Sequence, residues 1–363
     1  MVRFRGRSTR LQSRLRLSLG LGGFAAAAAF AAAVAAVVGV VAARQPDSFR
    51  VARARYEMGT VLEIEAVGPD RAATERGLAA AFRAVEEVER RLSNWREESE
   101  LSRANASAAT GSVTLSPATW RSLLVAIALA RETDGAFDPT VGAVTEALGL
   151  TGHPPDSARA RPEAIGWEKA RLDPQTRTLA FAVPGGAIDS GGFAKGEALD
   201  RALVEMRRGG LTAARLNFGG QISLWGSRTR AGRRDFGEVS VAEPRPGSER
   251  ELYRFVPGDG SVSTSAASER RGHIIDPRTG TPAPFTGSVT VVADSGVRAD
   301  ALSTALFVLG PRAGLDLANR RGVAALFVVP RDVGGWDLVA SRRFRRFQTR
   351  VSAENPLNSG FRR

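Results

Sequence analysis

Residues 17–43, LSLGLGGFAAAAAFAAAVAAVVGVVAA, carry no charged side chain. A stretch of about 20 apolar residues suffices to cross a bilayer, so this run is long enough to do so. Arg3, Arg5, Arg7, Arg10, Arg14 and Arg16 stand in front of it. Positive charge on that side predicts that residues 1–16 stay in the cytoplasm and the rest of the chain faces outward. Two readings compete: an uncleaved signal anchor, and a long signal peptide cut after Ala43, with the small Val41 and Ala43 at the cleavage site. The length favours the anchor. No arginine pair precedes the run, so a twin-arginine signal is not supported. The remainder of the chain divides into a linker at 44–50, a folded region at 51–350 and a loose tail at 351–363. The expected location is membrane-anchored or exported, with the folded region on the outer face.

The charge pattern narrows the partners. The net charge is +13, but the leading arginines supply about half of it. Much of the rest sits in short clusters such as Arg228–Arg234 and Arg342–Arg346. No basic stripe is interleaved with aromatics, so nucleic acid is not an expected partner. The chain has no cysteine. That excludes disulfides, thiolate metal sites, a cysteine nucleophile and a lipid-modified cysteine.

Hydrophobic spacing then gives the elements. TVLEIEAV (60–67) alternates as a half-buried strand. From Arg71 to Leu92 the residues Leu78, Phe82, Val85, Val88 and Leu92 recur at helical spacing. Residues 93–107 read as a polar loop. Ser116-Pro117 opens a helix with Trp120, Leu123, Leu124 and Ile127 on one face. TDGAFDPTVG (133–142) has turn chemistry, and 151–163 is a proline- and arginine-rich excursion. A strand at 179–183 leads through AIDSGGFAKG into a helix at 197–208, with Ala198, Leu199, Ala202, Leu203 and Met206 inward. Strands are expected at 213–220, 288–293 and 322–330. A hairpin tip is expected at 226–237, and a helix at 299–310 ends on a glycine. Strands and helices mix without a regular alternation. The fold class is therefore α+β, with mainly antiparallel sheets and packed helices, behind the membrane segment.

Three places could carry chemistry. Asp300 and Thr304 lie one turn apart on the helix 299–310, with Ser303 beside them. Their hard oxygens suit Mg²⁺ or Ca²⁺; the alternative is an ordinary helix cap. His273, in GHIIDPRTG (272–280), is either a proton acceptor near neutral pH or a strand-edge histidine before an Asp-Pro turn. His153 reads as plain surface. The loop AIDSGGFAKG (187–196) holds four glycines and Lys195, one of two lysines in the chain. Its amides could cradle a phosphate at a helix N-terminus, or it is a tight turn. It matches neither G-x-x-x-x-G-K-[ST] nor G-x-G-x-x-G.

In order along the chain, YEMGT (56–60), LSNWREESELSRAN (92–105), GAFDPTVG (135–142), IDSGGFAKGEALDRA (188–202), LNFGGQI (216–222), GHIIDPRTGTP (272–282) and ADALSTALFVLG (299–310) resemble the ApbE-type flavin transferases, the FAD:protein FMN transferases. The resemblance implies that the chain takes FAD as substrate and uses a divalent cation, usually Mg²⁺. It implies transfer of FMN to a Thr or Ser hydroxyl of a partner protein, with release of AMP. Asp300 and Thr304 match the metal positions, with Ser303 as a helper, and a backbone carbonyl of the Gly192–Ala194 stretch would complete the set. His273 matches the base that deprotonates the acceptor. Met58, Trp95, Ala136, Phe137, Asp138, Asp189 and Lys195 match positions that line the FAD site. Three departures stand out: Gln221 where aspartate is usual, Ser190 where leucine is common, and no aromatic near position 268 in 261–271. Other readings are an exported flavin carrier, an FAD pyrophosphatase giving FMN and AMP, or a membrane-anchored interaction protein. No Ser-Gly-Ala-Thr acceptor sequence occurs in the chain, so self-flavinylation is not expected. The acceptor would be another exported or membrane protein, for instance a subunit of a membrane redox complex.

Overall fold

The computed structural model describes residues 48–108, 111–151, 155–226, 236–268 and 272–349. The apolar run, the Ala43 cleavage site, the tail 351–363, His153, most of the 226–237 tip and Glu269–Arg271 lie outside the described residues. No helix among the described residues is long and apolar enough to cross a membrane.

The backbone of the fold is a meander. Eight strands form one antiparallel sheet in chain order: β1 (Phe49–Glu57), β2 (Thr60–Gly68), β3 (Ala213–Phe218), β4 (Gln221–Trp225), β5 (Gly260–Ala266), β6 (Ser288–Ala293), β7 (Ala324–Pro330) and β8 (Trp336–Ala340). Every neighbour in the sheet is the next main-sheet strand along the chain. The rest of the protein is inserted between them. Between β2 and β3 come α1 (Arg71–Leu92), α2 (Glu100–Ala108), α3 (Pro117–Glu132), the single turn α4 (Gly142–Thr145), a small sheet built from 113–114, 170–173 and 178–181, and α5 (Ala194–Arg208). A second small sheet, 239–242 with 251–256 and 348–349, starts between β4 and β5, and a short hairpin, 275–276 with 281–282, between β5 and β6. Helix α6 (Gly296–Arg321) joins β6 to β7.

Two hairpins turn at the same end of the sheet. Met58 and Gly59, with φ of 44° and 79°, close β1 on β2. Gly219 and Gly220, with φ of 57° and 90°, close β3 on β4. Both are two-residue turns of the left-handed kind that fits strand twist. The Gly219 amide donates to the Val61 carbonyl at 3.2 Å, which ties the two turns together.

The helices cover one face of the sheet. Leu78, Phe82, Val85, Val88 and Leu92 of α1 are all buried, as are Ala198, Leu199, Ala202, Leu203 and Met206 of α5. They share one core with Leu62 and Ile64 of β2 and Leu216 and Phe218 of β3. Helix α6 seals a second cluster, with Leu302, Leu306 and Phe307 against Val289, Val291 and Phe327. On the opposite face Leu224, Leu326 and Val328 pack with Val241, Phe255 and Phe344.

Several expectations change. Residues 100–108, read as loop, are helical: the Ser99 hydroxyl accepts from the Ser102 amide at 3.0 Å. Leu101, Ala104, Asn105 and Ala108 then bury one face, a stripe that the surrounding polar residues conceal. Leu124 is exposed at 43%, because Ser122 and Ala126 take the inward positions of α3. Phe49 and Arg50, assigned to the linker, open β1. The last helix starts earlier than expected, at Gly296, and its regular backbone does stop at Gly310 (φ 70°), with Pro311 opening the continuation.

Candidate active site

Two helices enter the site nose to nose. A Cβ on Gly196 would lie 2.2 Å from the Gly296 carbonyl oxygen, and one on Gly296 would lie 2.4 Å from the Gly196 carbonyl oxygen. Only glycine allows main chains this close. Each helix also caps the other. The Asp200 carboxylate of α5 accepts from the Gly296 amide at 2.6 Å and the Val297 amide at 3.0 Å. The Asp300 carboxylate of α6 accepts from the Gly196 amide at 3.1 Å. Asp300 is therefore not the cap of its own helix, where Ser295 stands. It is 6% exposed, and its oxygen is held on the first turn of α5. Burial pushes the Asp200 carboxyl above its ordinary value, against the two amides that favour the charge.

Thr304 sits one turn on from Asp300. Its hydroxyl donates to the Asp300 carbonyl at 3.2 Å, so the proton points into the helix and the lone pairs point out. They face the loop. A Cβ on Gly192 would lie 3.2 Å from the Thr304 hydroxyl oxygen and 3.0 Å from the Phe137 ring. The structure thus brings Phe137, Gly192, Asp300, Thr304 and the start of α5 together. Ser303 turns the other way. It is fully buried, 2.9 Å from the Ser265 hydroxyl and 3.2 Å from that of Ser263, and so holds α6 to β5.

The loop is held from behind. The Ser190 amide and hydroxyl both donate to Asn94 Oδ1, at 2.8 and 2.9 Å, and the hydroxyl lies 2.6 Å from the Leu92 carbonyl. Asn94 Nδ2 and Asn105 Nδ2 both donate to the Ile188 carbonyl, at 2.9 and 2.8 Å. Asp189 takes the Gly191 amide at 2.6 Å, and its own amide donates to the Pro139 carbonyl at 2.7 Å. The Ser190 amide and carbonyl are both engaged, the carbonyl accepting from Phe193 and Ala194, at 3.0 and 2.9 Å. Helix α5 has no side-chain cap of its own. The Lys195 ammonium, half-buried in its first turn, has no hydrogen bond or ion pair among the described residues. Deeper in α5, Glu197 meets Arg91 at 3.1 Å and the Ser122 hydroxyl at 2.8 Å, pinning the helix to α1 and α3.

Ala136 and Phe137 are buried after the left-handed pair Asp134 and Gly135. Asp138 accepts from the Thr140 amide and hydroxyl at 2.9 and 2.6 Å and from the Trp167 amide at 2.8 Å. Burial still lifts its carboxyl above the usual value, the Thr140 and Trp167 hydrogen bonds opposing. Trp95 is 60% exposed, next to Asn94. Met58 stands in the β1–β2 turn and packs on the edge of the core. His273 is half-buried in the connection after β5. Its neighbour Ile274 packs on the α6 cluster, and Ile275 packs with Ala143 and Val144.

The donor set fits a hard divalent cation: one carboxylate and one hydroxyl with outward lone pairs, beside Gly192. Among the described residues no three His, Cys, Asp or Glu side chains cluster as a metal site.

The sequence of this site matches the ApbE family over residues 58–327. The chain belongs to that family. The FAD:protein FMN transferase of Rhodobacter capsulatus is 31% identical over 310 residues, which cover 81% of this chain and 58% of that relative. The chain therefore spans less than two thirds of that protein. The FAD:protein FMN transferase of Haemophilus influenzae is 26% identical over 316 residues, covering 81% of this chain and 90% of the relative. Among solved structures, the flavin transferase ApbE from Vibrio cholerae aligns with a TM-score of 0.73 at 29% identity, covering 83% of this chain and 100% of that one. The apo flavinyl transferase ApbE of Pseudomonas stutzeri aligns with a TM-score of 0.70 at 26% identity, covering 83% and 97%.

Two of the departures from the ApbE pattern now have a physical account. Gln221 is buried on β4, and its amide donates to the Gly296 carbonyl at 2.9 Å. An aspartate there could not donate. Ser190 uses its hydroxyl to join the loop to Leu92 and Asn94, which leucine could not do. Sequence reasoning missed Asp200, Gly296, Asn94 and Thr140. For Asp200 a sign existed: it falls on the side of α5 next to Leu199 and Leu203, where an acid needs a partner.

Proposed function

We propose that this ApbE-family chain is an FAD:protein FMN transferase, acting on a Thr or Ser hydroxyl of an exported or membrane protein. The observation that carries the reading is the close approach of Gly192 to the Thr304 hydroxyl, with Asp300 fastened to the first turn of α5. It joins a glycine loop, a hard-oxygen pair and a lysine with no partner among the described residues in one place. Asp300, Thr304 and a carbonyl of 192–194 would hold Mg²⁺. A cation there would offset pyrophosphate charge as a Lewis acid. Lys195 and the start of α5 bind the diphosphate. Trp95 offers a face to the flat flavin ring, while Met58, Phe137, Asp138 and Asp189 shape the rest of the site.

The chemistry balances simply. The acceptor oxygen forms a bond to the phosphorus of the FMN half. The bond from that phosphorus to the bridging oxygen breaks, and AMP leaves with that oxygen. His273 takes the acceptor proton. The uncharged run 17–43 and its leading arginines support an outward-facing, membrane-anchored or exported enzyme.

A transfer assay tests the reading. The chain is mixed with FAD, Mg²⁺ and a Ser-Gly-Ala-Thr peptide, and mass spectrometry follows covalent FMN while AMP is counted. Both products are expected in equal amounts. Asp300→Ala should lower the rate by about 100-fold or more, and His273→Ala by about 100-fold or more. AMP with free FMN would mean a pyrophosphatase, and bound FAD without either product would mean a carrier.

A further inference from the structure

The arginine cluster after β8 takes no part in the site, yet its backbone is firmly held. Ser341 is fully buried. Its hydroxyl donates to the Val323 carbonyl at 2.8 Å and accepts from the Ala325 amide at 2.9 Å. The Arg342 amide donates to Asn319 Oδ1 at 2.9 Å, which brings the end of α6, with Arg320, beside the turn. Phe344 is 1% exposed, and its ring lies 4.9 Å from that of Phe255 and 5.9 Å from that of Tyr253. With Phe344 inside, Arg342, Arg343, Arg345 and Arg346 are all exposed.

These cations are not neutralised. The side chains of Arg320, Arg342, Arg343 and Arg346 have no hydrogen bond or ion pair among the described residues. Many exposed arginines elsewhere do have an acid, as Arg55 has Glu86 and Arg331 has Asp337. Residues 341–349 contain no acid. On α6 the exposed Asp316 stands one turn before Arg320, and Arg321 meets Asp134 at 4.0 Å. Like charges held side by side repel, a cost that packing alone does not explain. The turn also lies on the face where the chain arrives. Arg50, the second residue of β1, sets its guanidinium 4.7 Å from the Phe236 ring, and Phe236 belongs to the same apolar cluster as Phe344. Only residues 44–48 separate β1 from the uncharged run at 17–43, a reach of at most about 18 Å.

We propose that the surface of Arg320, Arg342, Arg343, Arg345 and Arg346 binds anionic phospholipid headgroups of the membrane that the run 17–43 enters. The choice of occupant rests on the membrane reading of that run. Guanidinium forks match the oxygens of a phosphodiester, and four or more basic residues close to a membrane segment attract acidic lipid. Screening confines that attraction to about 10 Å in 0.1 M salt, so a short tether is what makes the charges count.

The test uses residues 44–363, since Ser48–Arg363 forms a compact unit apart from residues 1–47. Co-sedimentation reads binding to vesicles of phosphatidylcholine alone and of an equal mixture with phosphatidylglycerol. R320Q/R342Q/R343Q/R346Q is set against R76Q/R83Q/R121Q/R171Q, which removes as much charge from exposed arginines elsewhere. Wild type should bind the mixed vesicles only, and added salt should release it. The first variant should bind about 100-fold more weakly and the second within about threefold of wild type, both with unchanged melting temperature and FAD affinity. Equal losses in the two variants would overturn the proposal, as would no preference for the mixed vesicles or binding that salt leaves unchanged. A wild type that ignores vesicles and binds polyglutamate would assign the surface to an acidic protein and overturn it as well. The full chain is followed by cell fractionation. Its appearance in the soluble fraction, with vesicle binding through these arginines intact, would sink the anchor and leave the surface assignment standing.

Discussion

The first turns of α5 and α6 look alike and are used differently. Both begin at a glycine contact, and both borrow an aspartate from the other helix. Asp200 spends two oxygens on the Gly296 and Val297 amides, so the positive end of α6 is closed. Asp300 accepts from the Gly196 amide of α5. That end of α5 also carries Lys195 and the glycine loop, and no side chain of its own caps it. One helix start is closed as a structural joint, and the other is the end that the proposed function would turn toward an anion. The same local geometry becomes a site only where the donors are left partly unspent.

The comparison can be broken most severely at the glycines. Gly196→Ala would place a methyl 2.2 Å from a carbonyl oxygen. It should destabilise the protein by about 3 kcal/mol, the upper end for overpacking, read as a large fall in urea midpoint. Asp200→Ala comes next. Two helix amides lose their acceptor, and a loss of about 2 kcal/mol is expected with the same measurement. The pH dependence of Asp200→Asn sharpens the contrast. Burial, the largest cause, raises the folded carboxyl above its unfolded value. Its contribution is thus full below the unfolded value and fades as pH rises through the folded one. The variant lacks that dependence, so it should gain on wild type in melting temperature from acid toward neutral pH. A gap that widens instead would show the charge to be favoured. The smallest effect on stability is expected for Lys195→Met, which breaks no hydrogen bond or ion pair among the described residues. Its FAD affinity should still fall about tenfold, by flavin fluorescence.

Much of this was legible from the sequence, for identifiable reasons. α1 and α5 declared themselves because their buried stripes are strictly periodic, and every inward residue assigned to them is buried. Ser116-Pro117 fixed the start of α3, with the Thr119 amide 3.3 Å from the Ser116 hydroxyl. Helix α2 was hidden, because its buried face has only three apolar residues, shared with Asn105 and interrupted by Ser102 and Arg103. The Asp300 and Thr304 pair was readable from spacing, but which way Ser303 faces depends on β5, far along the chain. The mutual capping was not readable at all. Asp200 and Gly296 are joined only by packing, and nothing local marks either as the partner of the other.

The meander has a consequence for how the site comes into being. β1 and β2 can pair as soon as they are made, and so can β3 and β4. The pairing of β2 with β3 is another matter, since Glu63 meets Asn217 only after the whole insertion between them has closed. Trp95, the 136–138 turn, the glycine loop and Lys195 all lie inside that loop. Joining two distant strands is slow, because chain entropy is lost before contacts repay it. The zipping of β3 onto β2 is therefore the moment at which the residues proposed to hold FAD first find one another, and a newly made chain has no such site until then.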